Sequence, residues 1–129
     1  MPHQLKFTVL PDLLAVCQLP ADAPVPPSLL EGAFFYVSRT SDELSIVCNE
    51  SRVPEGCRAE KEWLALKLQG PFPFSMTGVL SAFLAPLAQA KITIFAISTF
   101  DTDYVLIKRE NKERAVSALV ADGHEEVRG

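Results

Sequence analysis

The sequence is poor in the residues that most often carry out chemistry. Only two of its 129 residues are histidine, His3 and His124, one near each end of the chain. Both are expected at the surface, and an acid–base pair set beside a nucleophile has little to be built from. No Gly-x-Ser-x-Gly frames a serine as a nucleophile elbow, so a Ser75–His124–Asp103 triad has only its residue types to recommend it. Neither a Gly-Lys-Ser/Thr phosphate loop nor a Gly-x-Gly-x-x-Gly dinucleotide fingerprint occurs. The three cysteines, Cys17, Cys48 and Cys57, form no Cys-x-x-Cys pair. Their odd count reads as reduced thiols of a cytoplasmic protein, used as small apolar fillers. Cys57, in a polar stretch beside Arg58 and Lys61, is expected to be somewhat acidic; a redox role is open there, and a bystander thiol is the plainer reading. Basic charge is also short. Sixteen Asp and Glu against twelve Lys and Arg give a net charge of −4, which argues against general nucleic-acid binding. No stretch approaches the roughly 18 uncharged apolar residues of a membrane span, and MPHQLKF lacks the basic flank and apolar run of a signal peptide.

Hydrophobic residues make up 48% of the chain and charged residues 22%, the composition of a folded domain. The length suits one ordinary domain or two very small modules. Residues 5–10 (LKFTVL) and 13–19 read as strands, broken apart by Pro11-Asp12. The segment 20–28 holds four prolines and cannot be a central strand. It reads as a surface connection with one helical turn near 28–31. Residues 34–39 and 43–48 form a hairpin turning at 40–43. The polar segment 49–62 reads as a loop with a short helical turn and marks the boundary between an N-terminal module (1–61) and a C-terminal one (62–129).

The second half is more regular. Trp63 to Leu68 is a strand with Leu64, Leu66 and Leu68 on one face. From Thr77 to Lys91, Val79, Leu80, Phe83, Leu84 and Leu87 recur at helical spacing, with a bend expected at Pro86. Strands follow at 92–99 and 104–108. Asn111 starts a last helix to about Ala121, Gly123 stops it, and the tail 124–128 has room for a short strand. The order β-α-β-β-α-β predicts an α+β, ferredoxin-like fold: an antiparallel sheet with two helices on one face. The first half looks like a degenerate copy, so two such modules paired side by side are expected.

Two stretches could hold a ligand. In Gly70-Pro71-Phe72-Pro73-Phe74-Ser75-Met76-Thr77-Gly78-Val79, two prolines stiffen a loop that enters a helix. Ser75 is placed as N-cap, the first-turn N–H groups lack intrahelical partners, and Gly78 allows close approach to the backbone. Such a helix start can hold a carboxylate or phosphate, although a routine cap after a strand is the plainer reading. In Ser98-Thr99-Phe100-Asp101-Thr102-Asp103-Tyr104 the plain reading is a hairpin turn whose acids bond local backbone. The split βαβ arrangement, with its parallel central strands ending on the same side, makes the two stretches neighbours. N–H groups would then face carboxylates, a pairing that suits a zwitterion. A metal reading of Asp-x-Asp is weaker, with no further ligand at suitable spacing, and no cofactor is indicated.

The run GPFPFSMTGVLSAFLAPLAQAKITIFAISTFDTDYVLIKRE resembles the ACT domains of aspartate kinases and of the related cytosolic arginine-sensor proteins. The pattern is a strand, then S-x-T/V-G-V/I, a helix, then G-I-x-I-x-x-I-S-T and a second strand; it covers residues 63–110. The resemblance implies a ferredoxin-like fold, side-by-side modules and regulatory binding of small molecules, often amino acids. By position, the implied contacts are Ser75, Met76, Thr77, Gly78 and Val79, with Thr99, Phe100, Asp101 and Asp103 opposite. One departure is Lys91, where the family usually has Gly; a left-handed Lys there costs about 1–2 kcal/mol.

Two functions remain in view. One is a non-catalytic regulatory protein that binds an amino acid and works as a dimer or through a partner. The other is a structural or dimerisation module with no ligand.

Overall fold

The computed structural model describes residues 3–128. Met1, Pro2 and Gly129, the outer ends of the two expected domains, lie outside the described residues. The alternating stretches become strands β1 Lys6–Val9, β2 Leu14–Leu19, β3 Tyr36–Arg39, β4 Leu44–Asn49, β5 Arg58–Leu68, β6 Ile94–Ser98, β7 Asp103–Lys108 and β8 Glu125–Glu126. The two helices are α1 Val79–Gln89 and α2 Lys112–Ala121. The chain divides into two compact units. Unit 1 takes residues 3–11 and 64–128, and unit 2 takes Asp12–Trp63.

In unit 1 the elements from β5 onward run β-α-β-β-α-β, the ferredoxin-like arrangement. β7 lies between β5 and β6, while β1 pairs antiparallel with β5 and parallel with β8. The N-terminal strand thus occupies the place beside β5 where the fourth strand of the simple motif would sit. Phe7, Leu66, Leu68, Val105 and Ile107 present one face of this sheet, and Val79, Phe83 and Leu87 of α1 with Ala115 and Leu119 of α2 cover it. The helical spacing puts these side chains in one stripe. Burial of each large one is worth about 1.5–3 kcal/mol.

Both helices of unit 1 stop in the same way. At the end of α1, Lys91 N–H bonds Ala88 O and Ile92 N–H bonds Leu87 O, with Ile92 and Leu87 both in the core. At the end of α2, Gly123 N–H bonds Val120 O and His124 N–H bonds Leu119 O. These are Schellman caps, which place the residue after the cap in the left-handed region. Gly123 is there at φ 99°, and Lys91, as the departure from glycine implied, is there at φ 59°.

Unit 2 holds β3, β4, β2 and the first part of β5, in that order and all antiparallel. Ala15, Cys17, Leu44, Ile46 and Cys48 alternate onto one face, and Leu29 of the 3-10 turn Pro27–Leu29 covers them. The expected hairpin turn forms, with Thr40 N–H bonded to Glu43 O and Thr40 Oγ1 accepting from the N–H groups of Asp42 and Glu43. One element differs from expectation. Residues 58–62 are strand, not loop. Their alternation is hidden because Arg58, Glu60, Lys61 and Glu62 are all exposed, and a bulge interrupts the ladder there. The register slips between Leu14↔Trp63 and Val16↔Glu60, Glu62 takes φ 67°, and its N–H bonds Glu50 Oε1. An extra residue of this kind shifts the side-chain period, so no two-residue repeat can be read through it.

Candidate functional site

The loop from β5 to α1 and the turn from β6 to β7 meet in unit 1. Thr102, 8% exposed, donates its hydroxyl to Leu68 O at 2.7 Å. Phe72 N–H bonds Asp101 O at 2.8 Å. A Cβ on Gly70 would stand 2.9 Å from Asp101 O and 3.1 Å from Thr102 Cβ, closer than real side chains come, so the approach requires glycine there. The turn itself is closed by Thr99 N–H to Thr102 O at 2.8 Å, with Thr99 Oγ1 accepting from Thr102 N–H. Above these anchors, the exposed rings of Phe74 and Phe100 meet edge to face with centroids 4.9 Å apart.

The two predicted stretches are therefore neighbours, but not by way of parallel adjacent strands. β7 begins where β5 ends, tied there by Thr102 and Leu68, so these adjacent strands run in opposite directions. Ser75 is not the N-cap. A turn closed by Met76 N–H to Pro73 O holds it outside the helix. Gly78 is the cap, in the left-handed region at φ 80°, with no side-chain capping bond. The helix accordingly starts at Val79 rather than Thr77 and leaves its first-turn N–H groups uncapped by side chains. Ser75, Met76, Thr77 and Gly78 are exposed while Val79 turns into the core. Opposite them Thr99, Phe100 and Asp101 are exposed. Asp103 is half-buried on β7, in register with Ser98, and accepts a hydrogen bond from the Ser98 hydroxyl. Asp101 meets the neighbouring loop through its carbonyl, leaving its carboxylate in solvent.

Histidine departs from the surface expectation in one case. His124 is 3% exposed. Leu5 N–H donates to its Nδ1 at 3.0 Å, and Nε2 donates to Ala82 O at 3.3 Å, with the Asp122 carboxylate 3.6 Å from the same nitrogen. The bonds assign the proton to Nε2. Both ring nitrogens are thus committed, so the Ser75–His124–Asp103 triad has no free base. His3 is the residue that sequence reasoning missed: its Nε2 donates to Thr77 O at 2.9 Å, and Gly78 lies beside the ring. Nothing near His3 in the sequence signals that contact, which depends on β1 entering unit 1. Thr102 was equally hidden, as a polar residue inside an acidic turn. A groove of about 890 Å³ lies elsewhere in unit 1, floored by Val9, Leu64 and Val116 and rimmed by Lys112, Glu126 and Arg128; none of the predicted ligand residues lines it. Among the described residues no group of His, Cys, Asp and Glu could hold a metal, and no helix is long and apolar enough to cross a membrane.

Comparison with known proteins bears on the same segment. The family model described as ACT domain matches residues 58–121, and a second model, of an N-terminal domain, matches residues 12–56. The chain belongs to the ACT domain family. A protein of Agobacterium tumefaciens solved by X-ray crystallography is 34% identical, with a TM-score of 0.93 over 98% of this chain and 95% of that one. The regulatory subunit of aspartate kinase from Thermus thermophilus, in its ligand-free form, shares the fold at a TM-score of 0.67 and 13% identity, covering 90% of this chain and 95% of that one. The cytosolic arginine sensor for mTORC1 subunit 1 of Bos taurus is 24% identical over 100 residues, 69% of this chain and 30% of its own length. The chain spans less than two thirds of the length of the curated relatives it matches. The ACT match includes both loops of the candidate site.

Proposed function

We propose that this ACT protein is a non-catalytic, cytoplasmic regulator that binds a free amino acid between the start of α1 and the β6–β7 turn. The observation that carries the reading is the lacing of these loops by Thr102, Phe72 and Gly70, with a helix start that lacks a side-chain cap on one side and the exposed Asp101 on the other. The uncapped first-turn N–H groups of α1 suit an α-carboxylate, and Asp101 and Asp103 suit an α-ammonium. Ser75, Met76, Thr77 and Gly78 supply one wall, to which Val79, its side chain in the core, adds only its backbone N–H, and Thr99 and Phe100 join the acids on the other. Membership of a family whose relatives include an arginine sensor and aspartate-kinase regulatory subunits supports both the ligand class and the absence of catalysis.

A second copy of the chain completes the site in this reading, because Phe74 and Phe100, 77% and 79% exposed, stand at its rim. The same two rings favour the alternative, a dimerisation module without a ligand. Thermal-shift screening against the twenty amino acids separates the two. A ligand at 100 times its Kd stabilises the fold by about 2.7 kcal/mol, and Asp101→Ala or Asp103→Ala should abolish the shift. If no amino acid moves the melting temperature while Phe74→Ala still weakens self-association, the dimerisation reading stands instead.

A further inference from the structure

The thiols of unit 2 offer little to build on. Burial raises the Cys57 thiol above its ordinary range, opposite to the acidity expected from its basic neighbours. Unit 1 offers more, at its N-terminal end. Residues 3, 5 and 7 share one side of that stretch by two-residue spacing. Leu5 and Phe7 both enter the helix-covered core, Phe7 with its ring 5.5 Å from that of Phe83. Leu5 is held through its N–H by His124 Nδ1 and through its carbonyl by Glu125 N–H. His3 comes next along the same side, half-buried, and its Nε2 lies 2.9 Å from Thr77 O. The bond requires a proton on Nε2, which the charged ring also carries.

That bond holds a peptide plane. Gly78 has φ 80° and ψ 1°, the values of the third residue of a type II turn. Turning the Thr77–Gly78 peptide over would carry Gly78 to a φ of about −90° and leave its ψ at about 0°, as in a type I turn. Glycine accepts both, since it has no Cβ to oppose positive φ. Gly78 O is committed to the helix by Ala82 N–H at 2.9 Å, so the peptide before Gly78, not the one after it, is free to turn. Residue 78 does not choose between the two orientations; His3 does. The Thr77–Gly78 peptide is trans, so its C=O and N–H point in opposite directions. With Thr77 O on the imidazole, Gly78 N–H is turned away from the ring. The ring itself covers one side of the glycine: a Cβ there would stand 3.5 Å from Nε2 and 3.7 Å from Cδ2 of His3.

We infer that His3 is a positioning residue of the amino-acid site, which locks the Thr77–Gly78 peptide with its N–H toward the ligand and its carbonyl away. This rests on the reading that a carboxylate sits at the start of α1. In the locked orientation Gly78 N–H joins the first-turn N–H groups as a donor. In the other, Thr77 O would face the carboxylate and repel it. His3 touches no ligand atom and acts through the backbone of the loop.

The test uses the full chain, isotopically labelled, as wild type, His3→Ala and His3→Gln. Glutamine carries an N–H donor at a reach close to that of Nε2. Without ligand, the residual dipolar coupling of Gly78 N–H should change in His3→Ala and return in His3→Gln, while the couplings within α1 stay as they are. Thermal-shift titrations with each of the twenty amino acids should then give a dissociation constant about three- to tenfold higher for His3→Ala, the worth of one hydrogen bond, and one near wild type for His3→Gln. An unchanged Gly78 coupling in His3→Ala, an unchanged dissociation constant in that variant, or His3→Gln binding no better than His3→Ala would each overturn the inference. A wild type that binds no amino acid overturns the reading of the site, and the lock is then upheld or overturned by the coupling alone.

Discussion

The two units use the same strand alternation but cover their sheets differently, and this decides where their polar groups end up. Unit 1 covers its core with two α-helices. Helix starts leave N–H groups without intrahelical partners, and here the glycine cap of α1 makes no side-chain bond to them, with the preceding loop and the β6–β7 turn both exposed. Unit 2 has no α-helix among its described residues and is covered by a proline-rich segment with Leu29 at its centre. Two of its three thiols lie in the core. The lesson is that a helix cover brings a helix start to the surface beside a turn, while an irregular cover does not.

The largest expected effects come from breaking each cover in turn. Phe83 of α1 meets Phe7 and His124 with ring centroids 5.5 and 5.6 Å away, so Phe83→Ala should cost about 3–5 kcal/mol in urea denaturation. Leu29→Ala should cost about 2–5 kcal/mol and speed limited proteolysis within residues 20–31, because Leu29 is the fully buried residue of that segment. A Leu29→Ala loss below 1 kcal/mol would mean the proline-rich cover is not what seals unit 2. A smaller effect sharpens the picture of the open site. Thr102→Val leaves Leu68 O without its buried donor, at about 1–3 kcal/mol, and should weaken amino-acid binding by loosening the two loops; Thr102→Ser should restore both.

The smallest effect compares the two helix ends of unit 1. Lys91 does at α1 what Gly123 does at α2. Removing the left-handed strain of about 1–2 kcal/mol, less the entropy glycine costs in the unfolded chain, Lys91→Gly should raise stability by up to about 1 kcal/mol. Gly123→Ala should lower it by a similar amount, both read as melting-temperature shifts. A destabilising Lys91→Gly would show that the lysine contributes more through the helix C-terminus than the strain costs.

Much of this was legible in the sequence. The periodicity of Val79, Phe83 and Leu87, the alternation of Leu64, Leu66 and Leu68, and the hairpin turn at Thr40–Glu43 follow local rules, and the β-α-β-β-α-β order follows from them. What was not legible depends on tertiary partners. Nothing in LKFTVL says that it pairs with β5 and β8 in the unit of the second half, and so nothing said that His3 would reach Thr77 or that His124 would be buried. The bulge at Glu62 hid the start of β5. Ser75 looked like a cap by residue type, but the turn at Pro73–Met76 holds it away from the helix, and the conformation of Gly78 decides the start. The nearness of the two candidate loops did follow from topology, while the contacts that hold them, through Thr102 and Gly70, did not.

The central claim concerns what lies between the start of α1 and the β6–β7 turn. The most direct measurement is a crystal structure of the protein with the amino acid that gives the largest thermal shift. The account predicts density with its carboxylate on the first-turn N–H groups of α1 and its ammonium at Asp101 or Asp103. Density in the groove beside Val9 and Lys112 instead, or an amino acid bound with no contact to residues 75–79 and 99–103, would contradict it.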